Sequence, residues 1–157
     1  MTRVTFSSQH ALVIQEDRWT TNSTGASLLQ IAFGVTATLA GLDKFFNLLA
    51  DWSTYISPTA AQLLPVSAAT FMHLVGVVEL LVGIALLGVA PVIGAYVASA
   101  WLLLVAANLI LGGHLDVAVR DAEMSTAVLT LARLLEIRQG APVQSALAAR
   151  SHRSVTA

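Results

Sequence analysis

A carboxylate within an apolar run, Glu79 in AATFMHLVGVVELLVGIALLG, constrains this fold more than any other sequence feature. The run covers residues 68–88, which is long enough for a helix to cross a bilayer. An ionised carboxylate at the bilayer centre costs roughly 2.5–3.5 kcal/mol on insertion scales. The sequence therefore predicts a membrane helix whose Glu79 faces a partner or a polar interior.

The composition agrees with lipid as the main solvent of this chain. Of the 157 residues, 56% are hydrophobic and only 11% are charged, whereas soluble domains average about 25% charged residues. The net charge of −1 gives no electrostatic reason to expect a nucleic-acid partner. The sequence contains no cysteine, which excludes thiolate metal sites, iron–sulfur ligation and disulfide exchange by this chain.

Four apolar segments predict an all-α, four-helix transmembrane bundle. The predicted helices cover about residues 26–49, 68–88, 91–111 and 116–137. The fourth begins with several charged residues, so an amphipathic helix on the membrane surface is the alternative there. Together the helices form a predicted membrane domain at 25–138, between flexible tails at 1–24 and 139–157.

The distribution of Lys and Arg predicts the orientation of the bundle. Four crossings place both termini on the same side, together with Arg3, Arg18, Arg133, Arg138, Arg150 and Arg153. The opposite side holds only Lys44 and Arg120. Because positive residues favour the cytoplasmic side, we expect both termini to be cytoplasmic. The loop at residues 51–67 is then external.

In this topology most buried polar residues gather in the outer half of the bilayer. They are predicted to line one pocket, with Glu79 deepest: Asp43, Lys44, His73, Glu79, Asn108, His114, Asp116, Arg120 and Asp121. Gly76 and Gly83 share a helical face with Glu79, and small residues allow close helix approach, so this face is expected to contact another helix.

Structural roles remain open for most of these polar residues. Lys44 could act as an anchor that reaches the membrane surface, and His73 could be a hydrogen-bonded core residue. Asp116 and Arg120 have the spacing of a local helical ion pair. No pair of metal-ligating residues has a diagnostic spacing, so no metal site is expected. His114 lies beyond its predicted helix end, so haem held by His73 and His114 is not expected either.

Three ordered segments, GLDKFFNLLADW, GVVELLVGIALL and NLILGGHLDVAVRDAEMSTAVLTLARL, resemble the DoxX-like family of small bacterial membrane proteins. The resemblance covers about residues 25–137, and its matching positions are Gly41, Lys44, Gly76, Glu79, Asp116, Arg120 and Asp121. It implies a four-helix bundle in the bacterial inner membrane. Some members are associated with quinone-linked oxidation of sulfur compounds or with membrane redox complexes, and many others have no defined activity.

Three functions follow as hypotheses. In the first, the chain is a subunit of a quinone-linked redox system, with quinone as the cofactor and Glu79 and His73 as candidate proton carriers. This hypothesis requires a protein partner with a redox centre, or direct transfer from substrate to quinone. In the second, the protein is a non-catalytic scaffold or assembly subunit that docks a partner or a second copy of itself. The third, a small-molecule permease, is disfavoured by the charge-poor cytoplasmic half.

Overall fold

The computed structural model describes the backbone of residues 6–155 and the side chains of residues 24–140. Within these limits the chain is all-helical, without strands. Five α-helices follow one another: α1 (Phe6–Asp43), α2 (Pro58–Leu63), α3 (Ala68–Ile84), α4 (Pro91–Leu111) and α5 (Leu115–Val155). A short 3-10 helix, Trp52–Tyr55, precedes α2, and a π-helical turn, Ala85–Val89, continues α3.

Three of the described helical segments are long and apolar enough to cross a membrane. They are Thr24–Asp43, Ala68–Val89 and Pro91–Leu111. Large apolar side chains on these segments are turned outward: Leu81, Ile93 and Leu104 are each more than half exposed. Surfaces of this kind suit contact with lipid, and helices satisfy their own backbone hydrogen bonds there. The described helices therefore fit a membrane protein.

The four long helices contact one another mainly in two pairs. α3 packs along α1, and α4 packs along α5. Buried apolar residues from both pairs form one core: Ala26, Val82, Leu86, Ala95, Ala98, Val128, Leu131, Ala132 and Leu135. Several of these residues are alanines, which lets the helices approach closely. This core lies toward the end of the molecule where the first apolar segment begins, which leaves the other end for polar residues.

The end of α1 differs from the predicted boundary near residue 49. The helix stops at Asp43, and Asn47 adopts a left-handed conformation with φ of 51°. The amides of Leu48 and Leu49 donate to Asp43 Oδ1 at 3.0 and 3.2 Å. The Asp43 carboxylate thus fixes the chain where it leaves α1. The apolar residues that follow Asp43 therefore form a turn and do not extend the helix.

The two outer helices extend beyond the predicted membrane segments. α1 begins at Phe6, and no glycine or proline interrupts the sequence between Phe6 and Thr24. α5 continues to Val155. The side chains of the predicted tails lie largely outside the described residues, and the flexibility of 1–24 and 139–157 stays a prediction.

The π-helical turn gives α1 a polar contact with the junction between α3 and α4. The side-chain amide of Gln30 donates to the carbonyl oxygen of Leu86 at 2.8 Å. π-Helical turns disturb the regular helical hydrogen-bond ladder, and a side chain is a common substitute partner within a membrane. Gln30 therefore fixes the position of this turn against the first apolar segment.

Candidate functional site

The site begins with a backbone contact between Gly41 of α1 and Gly76 of α3. A Cβ atom at either glycine would lie 2.7 Å from the carbonyl oxygen of the other. Farther along the same two helices, a Cβ atom at Gly83 would lie 2.9 Å from the carbonyl oxygen of Gly34. Larger residues would force the helices apart. The prediction that Gly76 and Gly83 face another helix is confirmed.

Beside this contact, Lys44 and Glu79 form a buried ion pair. Lys44 Nζ lies 2.6 Å from Glu79 Oε2, and the two side chains are 6% and 15% exposed. The glycines make room for both: a Cβ atom at Gly76 would lie 3.1 Å from Lys44 Cβ. A Cβ atom at Gly41 would lie 3.0 Å from Glu79 Cβ. The ammonium thus balances the carboxylate, which offsets the cost of holding Glu79 within an apolar helix.

Trp52 covers the ion pair, and Asp43 holds Trp52 in place. Lys44 Nζ lies 3.9 Å from the centre of the Trp52 ring, within the range of a cation–π interaction. The indole Nε1 donates to Asp43 Oδ2 at 2.7 Å. The same carboxylate accepts the two backbone N–H groups after the end of α1, so it is well satisfied although it is buried. Asp43 therefore links the end of α1 to the cover over Lys44.

The second helix pair contributes Trp101 from α4 and Asp121 from α5. Both side chains lie near the Glu79 carboxylate, and Asp121 also lies near Lys44. The indole Nε1 of Trp101 is buried and makes no hydrogen bond of standard geometry within the described residues. Buried donors are normally paired. The Trp101 N–H is therefore directed toward the Glu79 carboxylate without a hydrogen bond of standard geometry to it.

The segment that carries Trp52 is tied down by two residues near the junction of α4 and α5. Asn108 Oδ1 accepts from the backbone N–H of Ser57 at 3.0 Å, and its Nδ2 donates to the Tyr55 carbonyl oxygen at 2.7 Å. His114 Nε2 lies 3.3 Å from the carbonyl oxygen of Thr54. Its ring lies 5.1 Å from that of Tyr55. These contacts hold the 3-10 helix over the end of the long helices.

The structure thus divides the predicted pocket residues into three groups. Asp43, Lys44, Glu79 and Asp121 come together at one centre, which we call the Lys44–Glu79 centre. Asn108 and His114 anchor the loop above it. The remaining three are exposed and make no hydrogen bond or ion pair with this centre within the described residues: His73, Asp116 and Arg120.

All three exposed residues have other surroundings than predicted. The His73 ring stacks on the Phe45 ring, with centroids 5.1 Å apart. Asp116 and Arg120 have the spacing of a helical ion pair, but they do not form one in the described part of the chain. Both stay at the surface, where water or a lipid head group can solvate them without a partner.

Two tryptophans were not among the predicted site residues. Trp101 shares a helical face with Asn108, which lies seven residues further along α4. That shared face was the available signal for Trp101, since Asn108 was itself expected to be buried. No sequence signal indicates that Trp52 turns back onto Lys44, because the turn depends on the hydrogen bonds of Asp43.

Comparisons with models of known protein families, with curated proteins and with solved structures find no match for this chain. The resemblance to the DoxX-like family therefore stays a prediction that rests on the three quoted segments.

Proposed function

We propose that this chain is a DoxX-like, multi-pass protein of the bacterial inner membrane, with α5 as the fourth crossing helix of a bundle. Three candidate spans support the membrane location. The crossing of α5 is supported by its packing along α4. It also has apolar residues on its outward surface, where Val119 and Ile137 are 59% and 55% exposed.

In this proposal both termini are cytoplasmic, and the Lys44–Glu79 centre lies in the outer half of the bilayer. The bias of Lys and Arg toward the side of the termini supports the orientation. Arg133 and Arg138 of α5 are exposed at the end of the helices away from Lys44. These two arginines are among the six cations that the proposed topology places on the cytoplasmic side.

We infer further that the protein serves a quinone-linked redox system by binding the quinone head group at this centre. The observation that carries the proposal is the buried indole N–H of Trp101, which lies beside the Glu79 carboxylate without a hydrogen bond of standard geometry. A quinone carbonyl could accept a hydrogen bond of standard geometry from this N–H, and the Glu79 carboxylate can accept a hydrogen bond or a proton from a quinol hydroxyl. The Trp101 N–H donor therefore fits the oxidised quinone, and the Glu79 acceptor fits the reduced quinol.

The chemistry supplied by a bound quinone is its reduction by two electrons and two protons, or the reverse. Within this chain, Glu79 would take or deliver one of the two protons, the second being exchanged with water or with the partner protein, and Lys44 would balance the charge of the carboxylate between transfers. Trp101 would orient the head group, while Trp52 would exclude water from above. Because this chain has no cysteine for iron–sulfur ligation, the electrons would be exchanged with a redox centre of a partner protein or directly between a substrate and the quinone.

A scaffold is the second candidate, and a specific observation favours it. Lys44 and Glu79 neutralise each other, and Asp43 is satisfied by three N–H groups. A centre of this kind needs no ligand to be stable. It could lock α1 to α3 and present the loop above it to a partner.

The variant Glu79→Gln separates the two candidates, because it preserves shape and removes the titratable group. In membranes that contain the native complex, we expect quinone-dependent turnover to fall about 100-fold or more, the usual effect of losing a general acid or base. Glu136→Gln is the matched control, since this carboxylate on α5 is hydrogen-bonded to Tyr96 and lies away from the centre. Unchanged turnover and normal assembly of Glu79→Gln would favour the scaffold. So would native protein that contains no quinone.

A further inference from the structure

A cavity lies at the end of the molecule away from the Lys44–Glu79 centre. Its volume is about 350 Å³, and it is lined by Gln30, Gly88, Pro91, Leu135, Arg138 and Gln139. This volume is within the roughly 300–1,000 Å³ typical of small-molecule sites. The cavity lies where the first candidate span begins, the second ends and the third begins. It therefore opens at the level of one membrane surface.

Arg138 provides the charge of this cavity. Its Nη1 donates to the hydroxyl of Ser27 at 3.0 Å, which holds the guanidinium against the start of the first span. No carboxylate pairs with it among the described residues. Arg133, by contrast, lies 3.1 Å from Glu136 Oε2. A guanidinium has five N–H donors, so Arg138 keeps donors for an anion.

The remaining walls combine apolar surface with open space. Leu135 and Pro91 are apolar, and the amide of Gln30 is already engaged with the carbonyl oxygen of Leu86. A Cβ atom at Gly88 would have no atom within 4 Å. Beside the cavity, Val89 is 79% exposed. Acyl chains can therefore continue from the cavity along an apolar surface.

We propose that this cavity binds an anionic phospholipid, with the phosphate on Arg138 and the upper acyl chains against Pro91 and the exposed Val89. Arginine binds phosphate through paired, charge-assisted hydrogen bonds, and basic pockets between membrane helices are suited to acidic lipid head groups. Free phosphate has the same charge chemistry but gains nothing from the apolar walls. In the proposed topology the lipid belongs to the inner leaflet. The proposal is independent of quinone binding.

The test measures thermal unfolding of the purified protein in a neutral detergent during titration with lipid. We expect phosphatidylglycerol to raise the unfolding midpoint in a saturable way, with phosphatidylcholine and inorganic phosphate much less effective. Arg138→Gln should weaken the apparent affinity for phosphatidylglycerol about tenfold or more, as expected when a charged hydrogen bond is lost. Arg133→Gln is the matched control and should keep the affinity of the native protein.

Gly88→Leu provides a second test that leaves Arg138 in place. Because a side chain at this position meets open space, we expect the variant to fold and to lose the lipid effect by filling the cavity. An equal effect of phosphatidylglycerol on native protein, Arg138→Gln and Gly88→Leu would overturn the proposal. An equal response to phosphatidylcholine would also overturn it. A full response to inorganic phosphate alone would assign the site to free phosphate and refute the lipid.

Discussion

Replacement of Gly41 by alanine tests whether the backbone contact between α1 and α3 builds the site. The new methyl group would lie 2.7 Å from the carbonyl oxygen of Gly76, 2.9 Å from the amide nitrogen of Leu80 and 3.0 Å from Glu79 Cβ. These atoms belong to the backbone or are fixed next to it, so a rotamer change cannot relieve the overlap. The helices must separate, and the ion pair that spans them must lengthen.

The expected magnitude follows from two opposing terms. Overpacking costs typically about 1–3 kcal/mol, and a contact with fixed backbone belongs at the upper end. Alanine gains about 1 kcal/mol over glycine within a helix. We therefore expect Gly41→Ala to lower the free energy of unfolding by about 2 kcal/mol. Circular dichroism during titration from a mild detergent into SDS measures this change.

Gly25→Ala is the matched control, because Gly25 belongs to the same helix and a Cβ atom there has no neighbour within 4 Å. In this variant the higher helix propensity of alanine acts without any overpacking, so the protein should be more stable than the native protein by up to about 1 kcal/mol. The two substitutions are thus expected to have opposite signs. If Gly41→Ala stabilised the protein as much as Gly25→Ala, the close contact of α1 and α3 would be refuted.

Three further predictions concern the loop, the topology and the ion pair. Asn108→Leu removes two hydrogen bonds to the loop and should lower the free energy of unfolding by about 2 kcal/mol. Amide exchange over residues 52–57, measured by mass spectrometry, should become faster. Unchanged exchange would show that other contacts hold the loop. A cysteine introduced at the exposed Thr59 of α2 should react with an impermeant maleimide added to intact cells, and labelling only after permeabilisation would reverse the proposed topology. Either Lys44→Met or Glu79→Leu alone should destabilise the protein more than both together, as measured by unfolding in detergent.

The all-helical class and the membrane location could be predicted because they depend on local properties. Apolar runs of sufficient length allow few structures in lipid, since the backbone must satisfy its own hydrogen bonds there. The glycine face of α3 was predictable for the same reason, because helical periodicity places Gly76, Glu79 and Gly83 on one side. The polar end of the molecule was also visible in the positions of Asp43, Lys44 and Asn108.

The pairing of Lys44 with Glu79 could not be predicted, because it depends on which helix lies against α3. From the sequence, Lys44 could be an anchor that reaches the membrane surface, and Asp43, its neighbour in the sequence, is as available an ion-pair partner as Glu79. In the structure Asp43 is occupied by the turn and by Trp52, which leaves Lys44 for Glu79. A signal was available in retrospect: Gly34 and Gly41 have the same separation along α1 as Gly76 and Gly83 along α3.

Variants of the ion pair can distinguish the two proposed functions. Stability requires only that the two charges balance, whereas proton transfer requires a titratable carboxylate. Removing one partner of a buried pair costs roughly 3–5 kcal/mol, since the other charge is left uncompensated, whereas apolar replacement of both is often neutral. The two side chains, 6% and 15% exposed, belong to that buried class. The double variant Lys44→Met/Glu79→Leu should therefore fold and assemble like the native protein. A scaffold would keep its function in this variant, whereas a quinone-linked subunit would lose turnover as completely as Glu79→Gln. If the double variant were as unstable as the two single changes added together, the charges would not be coupled, and the Lys44–Glu79 centre would have to be abandoned as the basis of either function.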